Sequence, residues 1–235
     1  MAKIIGVCGS PRKGTTEHVL KRALAAAEQV PGIETELMLL KGKKIHRCIH
    51  CDQCLKSKTP MPNYCLFDDD MKDLIDQYVA ADGIIIATPV YMMTVTGLLK
   101  DFMDRLRCYL FISAHRQQNF FKSMPVVGGA IAVGGTRHGG QEPTLATIVN
   151  FFLTYEVLAT GGPGGNYLGA AVWSKSSAPL KADQLDKVDP VGMGRVEGMG
   201  KRVAELALVL EAGRNALTEK GVTLSWMESA WTPGT

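Results

Sequence analysis

Four of the six cysteines of this 235-residue chain lie in one short segment, Cys48–Cys65. The first three follow one another with two residues between each pair, and ten residues separate Cys54 from Cys65. Thiolates at this density are typical ligands of soft metals, and a set of four suits either an iron–sulfur cubane or zinc. The alternative is an inert or disulfide-bonded loop, but disulfides are rare in the cytosol. The spacing therefore favours a metal or cluster site in this segment.

The N-terminal residues MAKIIGVCGSPRKG contain an apolar run that is shorter than the hydrophobic region of a signal peptide. No run of about 18 consecutive apolar residues, the length that a membrane span requires, occurs in the sequence. We therefore expect a cytoplasmic protein, not associated with a membrane, whose thiols begin reduced.

The composition allows a sizeable core, since 46% of the residues are hydrophobic and 21% are charged. The net charge is only +3, and no basic stripe is interleaved with aromatic residues, so nucleic-acid binding is not expected. One basic group precedes the cysteines: Lys41, Lys43, Lys44 and Arg47. It would attract an acidic donor protein or a phosphorylated cofactor, although a solvated loop is the more ordinary interpretation.

A loop rich in glycine, hydroxyl and basic residues follows the first predicted strand and opens the first predicted helix. The free N–H groups and the positive dipole end of such a helix favour an anion. The loop matches neither the Walker A pattern nor the dinucleotide G-x-G-x-x-G pattern. It predicts a phosphate site rather than an ordinary capped turn, and its candidate ligands are Ser10, Arg12, Lys13, Gly14, Thr15 and Thr16.

Hydrophobic patterns predict five strands that alternate with helices. The predicted strands are Lys3–Cys8, Ile33–Leu40, Asp82–Thr88, Met124–Val133 and a fifth within residues 156–172, interrupted by the glycines at 161–165. The predicted helices are Glu17–Val30, Met71–Ala81, Leu98–Phe111, Thr144–Leu158 and Arg195–Arg214. This alternation predicts an α/β fold with a doubly wound, five-stranded parallel sheet in the flavodoxin-like order. We expect one domain at residues 1–214 with a cysteine loop at 42–67, followed by a C-terminal extension at 215–235.

The loops at the carboxyl edge of this sheet should carry the ligands. Residues 89–97 would present an aromatic ring and two thioethers there, and residues 134–142 would bring glycine backbone close to a flat ring. His138 would either bond a ring oxygen or lie in solvent. Together with the Ser10–Thr16 loop, these two loops suit flavin mononucleotide (FMN). The cysteine loop leaves the neighbouring strand, so we expect it to lie near this cofactor.

Four further features receive structural interpretations. Asp68, Asp69 and Asp70 are predicted to cap the next helix, since acidic residues favour helix N-termini. Asp104 and Arg105 are predicted to be an exposed charge pair. Cys8 and Cys108 are predicted to be small buried residues, and the polar residues 183–194 are predicted to be a linker.

The segments GSPRKGTT, DDDM after the cysteines, DGIIIATPVY with TGLLKDFMDR, and GGTRHGGQE occur in that order. Together they resemble the NADPH-dependent FMN reductase superfamily and, within it, the iron–sulfur flavoproteins, over about residues 3–172. The resemblance implies that the first loop binds the FMN phosphate and that Gly134 and Gly135 pass close to the flavin ring. It also implies that the PVYM loop contacts the ribityl chain and the ring through Pro89, Val90, Tyr91 and Met92, and that a [4Fe–4S] cluster is bound by Cys48, Cys51, Cys54 and Cys65.

The resemblance further implies a homodimer or homotetramer in which the cluster of one subunit lies near the flavin of another. Electrons would pass between cluster and flavin, with a ferredoxin-like protein or NAD(P)H as donor and oxygen, peroxide or a quinone as acceptor. Two alternatives stay open: a cluster-free NAD(P)H:quinone or azo-dye reductase, and a zinc or thiol redox sensor with His46 or His50 as additional ligands. No side chain is predicted to act as a nucleophile or an obligatory base.

Overall fold

A computed structural model describes residues 1–56, 65–115, 127–176 and 178–222. Its sheet is parallel throughout, in the order β2-β1-β3-β4-β5 with β6 also paired to β4. The strands are β1 (Ala2–Cys8), β2 (Ile33–Leu39), β3 (Gly83–Pro89), β4 (Val127–Gly134), β5 (Leu158–Thr160) and β6 (Ala170–Trp173). The short strands β5 and β6 pair with the beginning and the end of β4, so together they occupy a single fifth position. The predicted five-stranded, flavodoxin-like sheet with an interrupted last strand is therefore confirmed.

Helices cover both faces of the sheet. They are α1 (Thr15–Ala27), α2 (Gln53–Lys56), α3 (Met71–Val79), α4 (Gly97–His115), α5 (Gln141–Thr154), α6 (Ala182–Val188) and α7 (Pro190–Glu219). Helices α1 and α7 pack in one hydrophobic core, and α3, α4 and α5 pack in the other. Among the residues that the structure describes, no helix has both the length and the apolar composition needed to cross a membrane.

The central strands are buried on both faces because helices lie on both sides. In β1, Ile5 and Val7 point into the core of α3, α4 and α5, whereas Ile4 points into the core of α1 and α7. Strand β3 repeats the alternation with Ile84 and Ile85. This two-residue period in an otherwise continuous apolar run is the pattern from which the strands were predicted.

The predicted linker at residues 183–194 is wrong, because α6 and the first turn of α7 occupy it. Polar composition and Pro190 suggested a linker. Proline is nevertheless tolerated at the first position of a helix, because a backbone N–H at that position would have no acceptor within the helix. Asp189 completes this start: its carboxylate accepts hydrogen bonds from the Gly192 N–H at 2.9 Å and from the Trp173 N–H at 2.8 Å. Asp189 therefore ties α7 to the end of β6.

The C-terminal helix is also longer than predicted, since α7 continues to Glu219, past the predicted domain boundary at residue 214. Trp226 and Trp231 of the predicted extension, and the predicted strand residues 124–126, lie outside the described residues. Cys8 and Cys108 are buried, as predicted.

Replacing Asp189 with alanine is expected to lower the free energy of unfolding by about 2 kcal/mol, because the change removes a helix cap and leaves the Trp173 N–H without its acceptor. Urea unfolding followed by far-UV circular dichroism measures the change. Asp189→Asn keeps one acceptor oxygen for the helix cap but loses the second, which now accepts the Trp173 N–H, so it should lose less stability than the alanine variant. Equal losses in the two variants would show that the cap does not carry the effect.

Candidate functional site

The Ser10–Thr16 loop connects β1 to α1 at the carboxyl edge of the sheet. Gly9 begins this turn by donating its N–H to the Ala87 carbonyl at 2.8 Å. Ser10 is 4% exposed. Its hydroxyl donates a hydrogen bond to the Arg12 carbonyl at 2.8 Å and accepts one from the Arg12 N–H at 3.3 Å. Thr96, at the start of α4, holds the same turn by donating its hydroxyl to the Gly9 carbonyl at 2.6 Å. The loop is thus held by the neighbouring strand β3 and by the start of α4.

The first turn of α1 begins at this loop without a side-chain cap at Gly14. The Thr15 hydroxyl does not cap it, since that oxygen accepts the Leu180 N–H at 2.9 Å. Buried Thr16 lies in the same turn. N–H groups at an uncapped helix start carry partial positive charge and are suited to bind an anion.

A cavity of about 110 Å³ opens directly at this helix start. Three separate loops meet there, which confirms that they share the carboxyl edge of the sheet. The lining residues are Ser10, Arg12, Gly14, Thr15 and Thr16, then Pro89, Val90 and Tyr91, and finally Val133, Gly135 and Ser174. Of the predicted cofactor residues, Lys13, Met92 and Gly134 belong to these loops but do not line the cavity.

The loop after β3 forms a tight hairpin. Tyr91 and Thr94 exchange two backbone hydrogen bonds at 2.9 and 3.0 Å, and the Val90 N–H bonds the Val133 carbonyl at 2.9 Å. Met92 and Met93 between them have φ angles of 46° and 69°. This left-handed conformation is unusual for residues with side chains and is typical of strained backbone at functional sites. The Met92 side chain is 95% exposed, so the turn holds an apolar thioether in solvent beside the cavity residue Tyr91.

The glycine-rich loop after β4 is held by its own helix and by β6. Gln141 accepts the Gly139 N–H at 3.0 Å and donates its amide to the Thr136 carbonyl at 2.5 Å. Trp173 donates its indole N–H to the Gly135 carbonyl at 3.2 Å. The Arg137 guanidinium lies 4.2 Å from the centroid of the same indole. His138 is exposed. The backbone of this loop is therefore fixed from both sides at the point where Gly135 lines the cavity.

Several residues of this site escaped the sequence analysis. Ser174 lines the cavity, and its Oγ lies 3.1 Å from the Gly134 carbonyl. Ser174 could have been found from its position directly after the last strand, because ligands bind at the carboxyl ends of parallel strands. Thr96 and Trp173 gave no comparable signal, because both act through contacts with residues far away in the sequence.

The residues present fit the phosphate end of FMN. An uncapped helix start, two buried hydroxyl side chains and the Arg12 guanidinium line one cavity, and each of these groups can donate to phosphate oxygens, Ser10 by exchanging its bond to the Arg12 carbonyl. No carboxylate is among the lining residues of this cavity.

The second candidate site is the cysteine loop. Cys48, Cys51, Cys54 and Cys65 are free thiols that line one cavity of about 30 Å³, together with Cys108 of α4. Within residues 1–56, 65–115, 127–176 and 178–222, no three His, Cys, Asp or Glu side chains are close enough to hold a metal ion. The thiols are thus gathered around one cavity without yet being at coordination distance. Four thiols and two flanking guanidinium groups, those of Arg105 and Arg107, suit an anionic thiolate centre.

The cysteine loop is attached to α4 by ion pairs. Arg105 and Asp69 form a pair with side chains that are 3% and 1% exposed and an N–O distance of 2.6 Å. The prediction that Asp104 and Arg105 form an exposed pair is therefore wrong: Asp104 bonds Lys100 on the surface, whereas Arg105 points inward. Neighbouring residues on a helix point in different directions, so adjacency in the sequence did not identify the true partner.

The three predicted capping aspartates have different roles. Asp69 accepts the Met71 N–H at 3.2 Å, as a cap would, but Arg105 is its main partner. Asp70 stands at the N-cap position of α3, yet its carboxylate accepts the Lys44 N–H at 2.6 Å. Asp68 pairs with Lys72 on the surface. The capping prediction is therefore only partly correct.

The electrostatics of this site follow from burial and these cations. Burial would raise the pKa of Asp69, but the hydrogen bonds from Arg105 and from the His46 N–H outweigh it and hold the pKa below its ordinary value. The stabilisation that Asp69 provides is therefore complete at neutral pH and is lost as acid protonates this carboxylate. Burial raises the pKa of the Cys54 thiol, against the opposing charge of Arg107.

The two cavities are lined by different residues of the chain. The cysteine loop leaves β2 at the carboxyl edge, where the Leu40 N–H bonds the Cys8 carbonyl at 3.2 Å. It then packs against Arg105 and Cys108, which lie about 12–16 Å along α4 from Gly97 at 1.5 Å per residue. The cavities share no lining residue. The expectation that the cysteine loop lies near the cofactor therefore stays a prediction.

Comparison with known proteins agrees with these features. A sequence model of the NADPH-dependent FMN reductase family matches residues 2–162. An iron–sulfur flavoprotein of Methanocaldococcus jannaschii is 42% identical over 174 residues, which are 74% of this chain and 82% of that protein. One of Archaeoglobus fulgidus is 39% identical, with 88% of this chain and 98% of that protein aligned. One of Methanosarcina thermophila is 30% identical, with 91% and 99% aligned.

Solved structures share the fold. RosB, solved with 8-demethyl-8-formylriboflavin-5'-phosphate, superposes with a TM-score of 0.64 at 17% identity over 94% of this chain and 88% of RosB. A flavone reductase superposes with a TM-score of 0.61 at 22% identity over 89% of this chain, which spans 64% of that larger protein. A WrbA-like flavodoxin of Agrobacterium tumefaciens gives 0.57 at 19% identity, over 88% and 98% of the two chains. This chain belongs to the NADPH-dependent FMN reductase family, as an FMN-dependent oxidoreductase of the iron–sulfur flavoprotein group.

Proposed function

We propose that this protein transfers electrons between a [4Fe–4S] cluster bound by Cys48, Cys51, Cys54 and Cys65 and an FMN bound at the carboxyl edge of the sheet. The observation that carries the proposal is that all four thiols line a single cavity on the surface of α4. When bound, the cluster supplies one-electron steps and the flavin links them to two-electron chemistry. The residues of the chain bind, orient and shield these groups.

At the flavin cavity, we assign phosphate binding to the loop that begins α1. The N–H groups of the uncapped first turn and the side chains of Ser10, Arg12 and Thr16 provide donors on one side of the cavity. Lys13 and Gly14 extend this loop, with Lys13 exposed to solvent and able to add positive charge. A phosphate dianion at this position would satisfy the helix start that no side chain caps.

The opposite walls suit the ribityl chain and the ring. Pro89, Val90 and Tyr91 provide apolar and aromatic surface, and the backbone at Gly134 and Gly135 is held by Gln141, Ser174 and Trp173. Met92, exposed at the tip of the hairpin, would be covered by the ring or by a neighbouring subunit. Arg12 and Tyr91 are the ionisable side chains among the residues lining this cavity. We therefore assign no side chain the role of nucleophile or general base.

At the cysteine cavity, the chain supplies thiols on a constrained backbone. His50 and Asp52, which flank Cys51, have φ angles of 53° and 55°. Arg107 holds this turn by bonding Asp52 at 2.9 Å. Two arginines near four thiolates also reduce the net negative charge of the site, which favours binding of the anionic cluster.

We propose that electron transfer occurs between subunits of a homodimer or homotetramer, because the two cavities of one chain share no lining residue. The candidate donors are a ferredoxin-like protein and NAD(P)H, and the candidate acceptors are oxygen, peroxide and a quinone. The exposed cations Lys41, Lys43, Lys44 and Arg47, beside the cysteines, support an acidic protein donor.

A cluster-free NAD(P)H-linked reductase is the second candidate, favoured by the observation that the described thiols do not lie at metal-binding distance. His46 would serve as an additional zinc ligand only if it left its ring stacking with Phe67, where the centroids are 4.8 Å apart. The zinc or thiol sensor ranks third because the family match is to flavin-dependent reductases.

The testing experiment is an anaerobic absorbance spectrum of protein purified with iron supplied, with FMN, iron and sulfide quantified on the same sample. We expect flavin together with about four irons per chain. Flavin without iron would reject the cluster and leave the cluster-free reductase. Zinc without flavin would reject both the cluster-containing flavoprotein and the cluster-free reductase.

A further inference from the structure

We propose that Arg105 is the residue that positions the cysteine loop, and that its Nε–H donates a hydrogen bond to a sulfur of the bound cluster or of its thiolates. The inference rests on the proposed cluster site. Arg105 lies on α4, outside the cysteine motif. It would arrange the thiols before the cluster binds, and it would partly set the reduction potential of the cluster.

Arg105 holds both ends of the cysteine segment at once. Before the cysteines, its Nη1 donates to the His46 carbonyl at 2.8 Å. After them, its two terminal nitrogens bond the two Asp69 oxygens at 2.6 and 3.1 Å, and Asp69 in turn accepts the His46 N–H at 2.9 Å. One guanidinium therefore closes the loop two residues before Cys48 and four residues after Cys65.

An aromatic residue completes the same closure. Phe67 stacks on His46 with ring centroids 4.8 Å apart, and the Arg105 guanidinium lies 5.3 Å from the Phe67 centroid. A planar fork that pairs both carboxylate oxygens and contacts a ring is a geometry that lysine cannot reproduce. The closure therefore depends on arginine at this position and not merely on a positive charge.

The ion pair between Arg105 and Asp69 is buried, so its loss should have a large and local effect. Because the side chains of Arg105 and Asp69 are almost fully buried, removal of either partner would leave an uncompensated charge, which is far more costly than loss of a surface pair. These contacts join α4 to the cysteine loop and not to the sheet. The loss should therefore release the loop while the FMN cavity, which shares no lining residue with it, remains intact.

The remaining donor of this guanidinium points to a ligand. Arg105 Nε is buried and has no hydrogen-bond partner in the described part of the chain, although Arg105 lines the cysteine cavity. A buried donor without an acceptor is costly and rare, and it requires an explanation. A sulfur of the occupied site would supply the acceptor. Hydrogen bonds to cluster sulfurs stabilise the more negative, reduced state and thereby raise the reduction potential.

The experiment compares Arg105→Met, Arg105→Lys and Asp69→Asn with wild type, and uses Arg22→Met as the control. Arg22 also pairs with two carboxylates, those of Asp186 and Glu197 at 2.8 and 2.7 Å, but it lies on the opposite face of the sheet. Each protein is prepared anaerobically. FMN and iron are quantified, and the iron-free form is titrated with a thiol reagent while its thermal unfolding is recorded.

We expect Arg105→Met to retain FMN, to lose most of its iron and to expose its half-buried thiols Cys54 and Cys65 at least tenfold faster than wild type, since Cys48 and Cys51 are already exposed. Asp69→Asn should show the same pattern more weakly, and Arg22→Met should match wild type. Arg105→Lys should retain part of its iron, with a reduction potential below that of wild type. Wild-type iron content and thiol reactivity in both Arg105→Met and Asp69→Asn would overturn the positioning role.

Three further outcomes are informative. If Arg105→Met fails to fold, as shown by loss of FMN, Arg105→Lys and Asp69→Asn decide the question by the same measurements. An unchanged potential in iron-loaded Arg105→Lys would reject the hydrogen bond to sulfur. If wild type binds FMN but no iron, the cluster proposal itself fails. The thiol reactivity of the iron-free proteins then separately shows whether Arg105 orders the loop.

Discussion

Replacing Ser10 with aspartate is expected to weaken FMN binding at least 100-fold. The residue is buried at the helix start where we place the phosphate, so the substitution would put a carboxylate among the proposed phosphate ligands. Two unit charges about 5 Å apart repel by about 3 kcal/mol at an effective dielectric constant of 20, and about 1.4 kcal/mol corresponds to a tenfold change in affinity. Titration of the flavin-free protein with FMN, followed by quenching of flavin fluorescence, measures the loss.

Ser10→Asn is the matched control, because it has nearly the same volume as aspartate without the charge. It should lose far less affinity than the aspartate variant, and both should retain the wild-type iron content, since the cysteine cavity is separate. Thermal unfolding of the flavin-free proteins establishes that the aspartate variant is folded. Wild-type FMN affinity in folded Ser10→Asp would show that the phosphate does not bind at this helix start.

The central sheet was predictable because its signals are local. Apolar runs such as those around Ile5 and Ile85 are long enough, and well enough bounded by loop residues, to identify buried parallel strands. Helix α6 and the start of α7 were not, because the helix start at Asp189 depends on a contact with Trp173, which is distant in the sequence. Polar composition and a proline are equally typical of a linker and of a capped helix start.

In the candidate site, too, local features could be predicted and contacts between distant residues could not. The Ser10–Thr16 loop could be recognised because its donors are consecutive in the sequence and precede a helix. The roles of Thr96 and Arg105 could not, since each bonds a residue on another element, at Gly9 and Asp69. The path of the cysteine loop over α4 could not be predicted either. Strand order fixes where the cysteine loop begins, but packing against α4 decides where it goes.

Replacing Cys54 with serine is expected to reduce iron from about four per chain to below about one while FMN stays at wild-type content. Serine offers an oxygen ligand, which soft iron–sulfur centres bind poorly, and a cubane cluster lacking one ligand is labile. FMN should be unaffected because Cys54 lines only the cysteine cavity. Anaerobic reconstitution followed by quantification of iron, sulfide and FMN on one sample measures the three contents together.

Cys108→Ser is the sharpest control, because Cys108 lines the same cavity but lies outside the proposed ligand set. Its Sγ is buried and donates to the Arg105 carbonyl at 2.8 Å, a bond that a serine hydroxyl can also make. Cys108→Ser should therefore keep both iron and FMN. Loss of iron in Cys108→Ser, with retention in Cys54→Ser, would exchange the two residues in the ligand set. Retention in both would remove Cys54 as an obligatory ligand, and Cys48→Ser and Cys51→Ser, measured in the same way, would then decide whether this cavity binds the cluster.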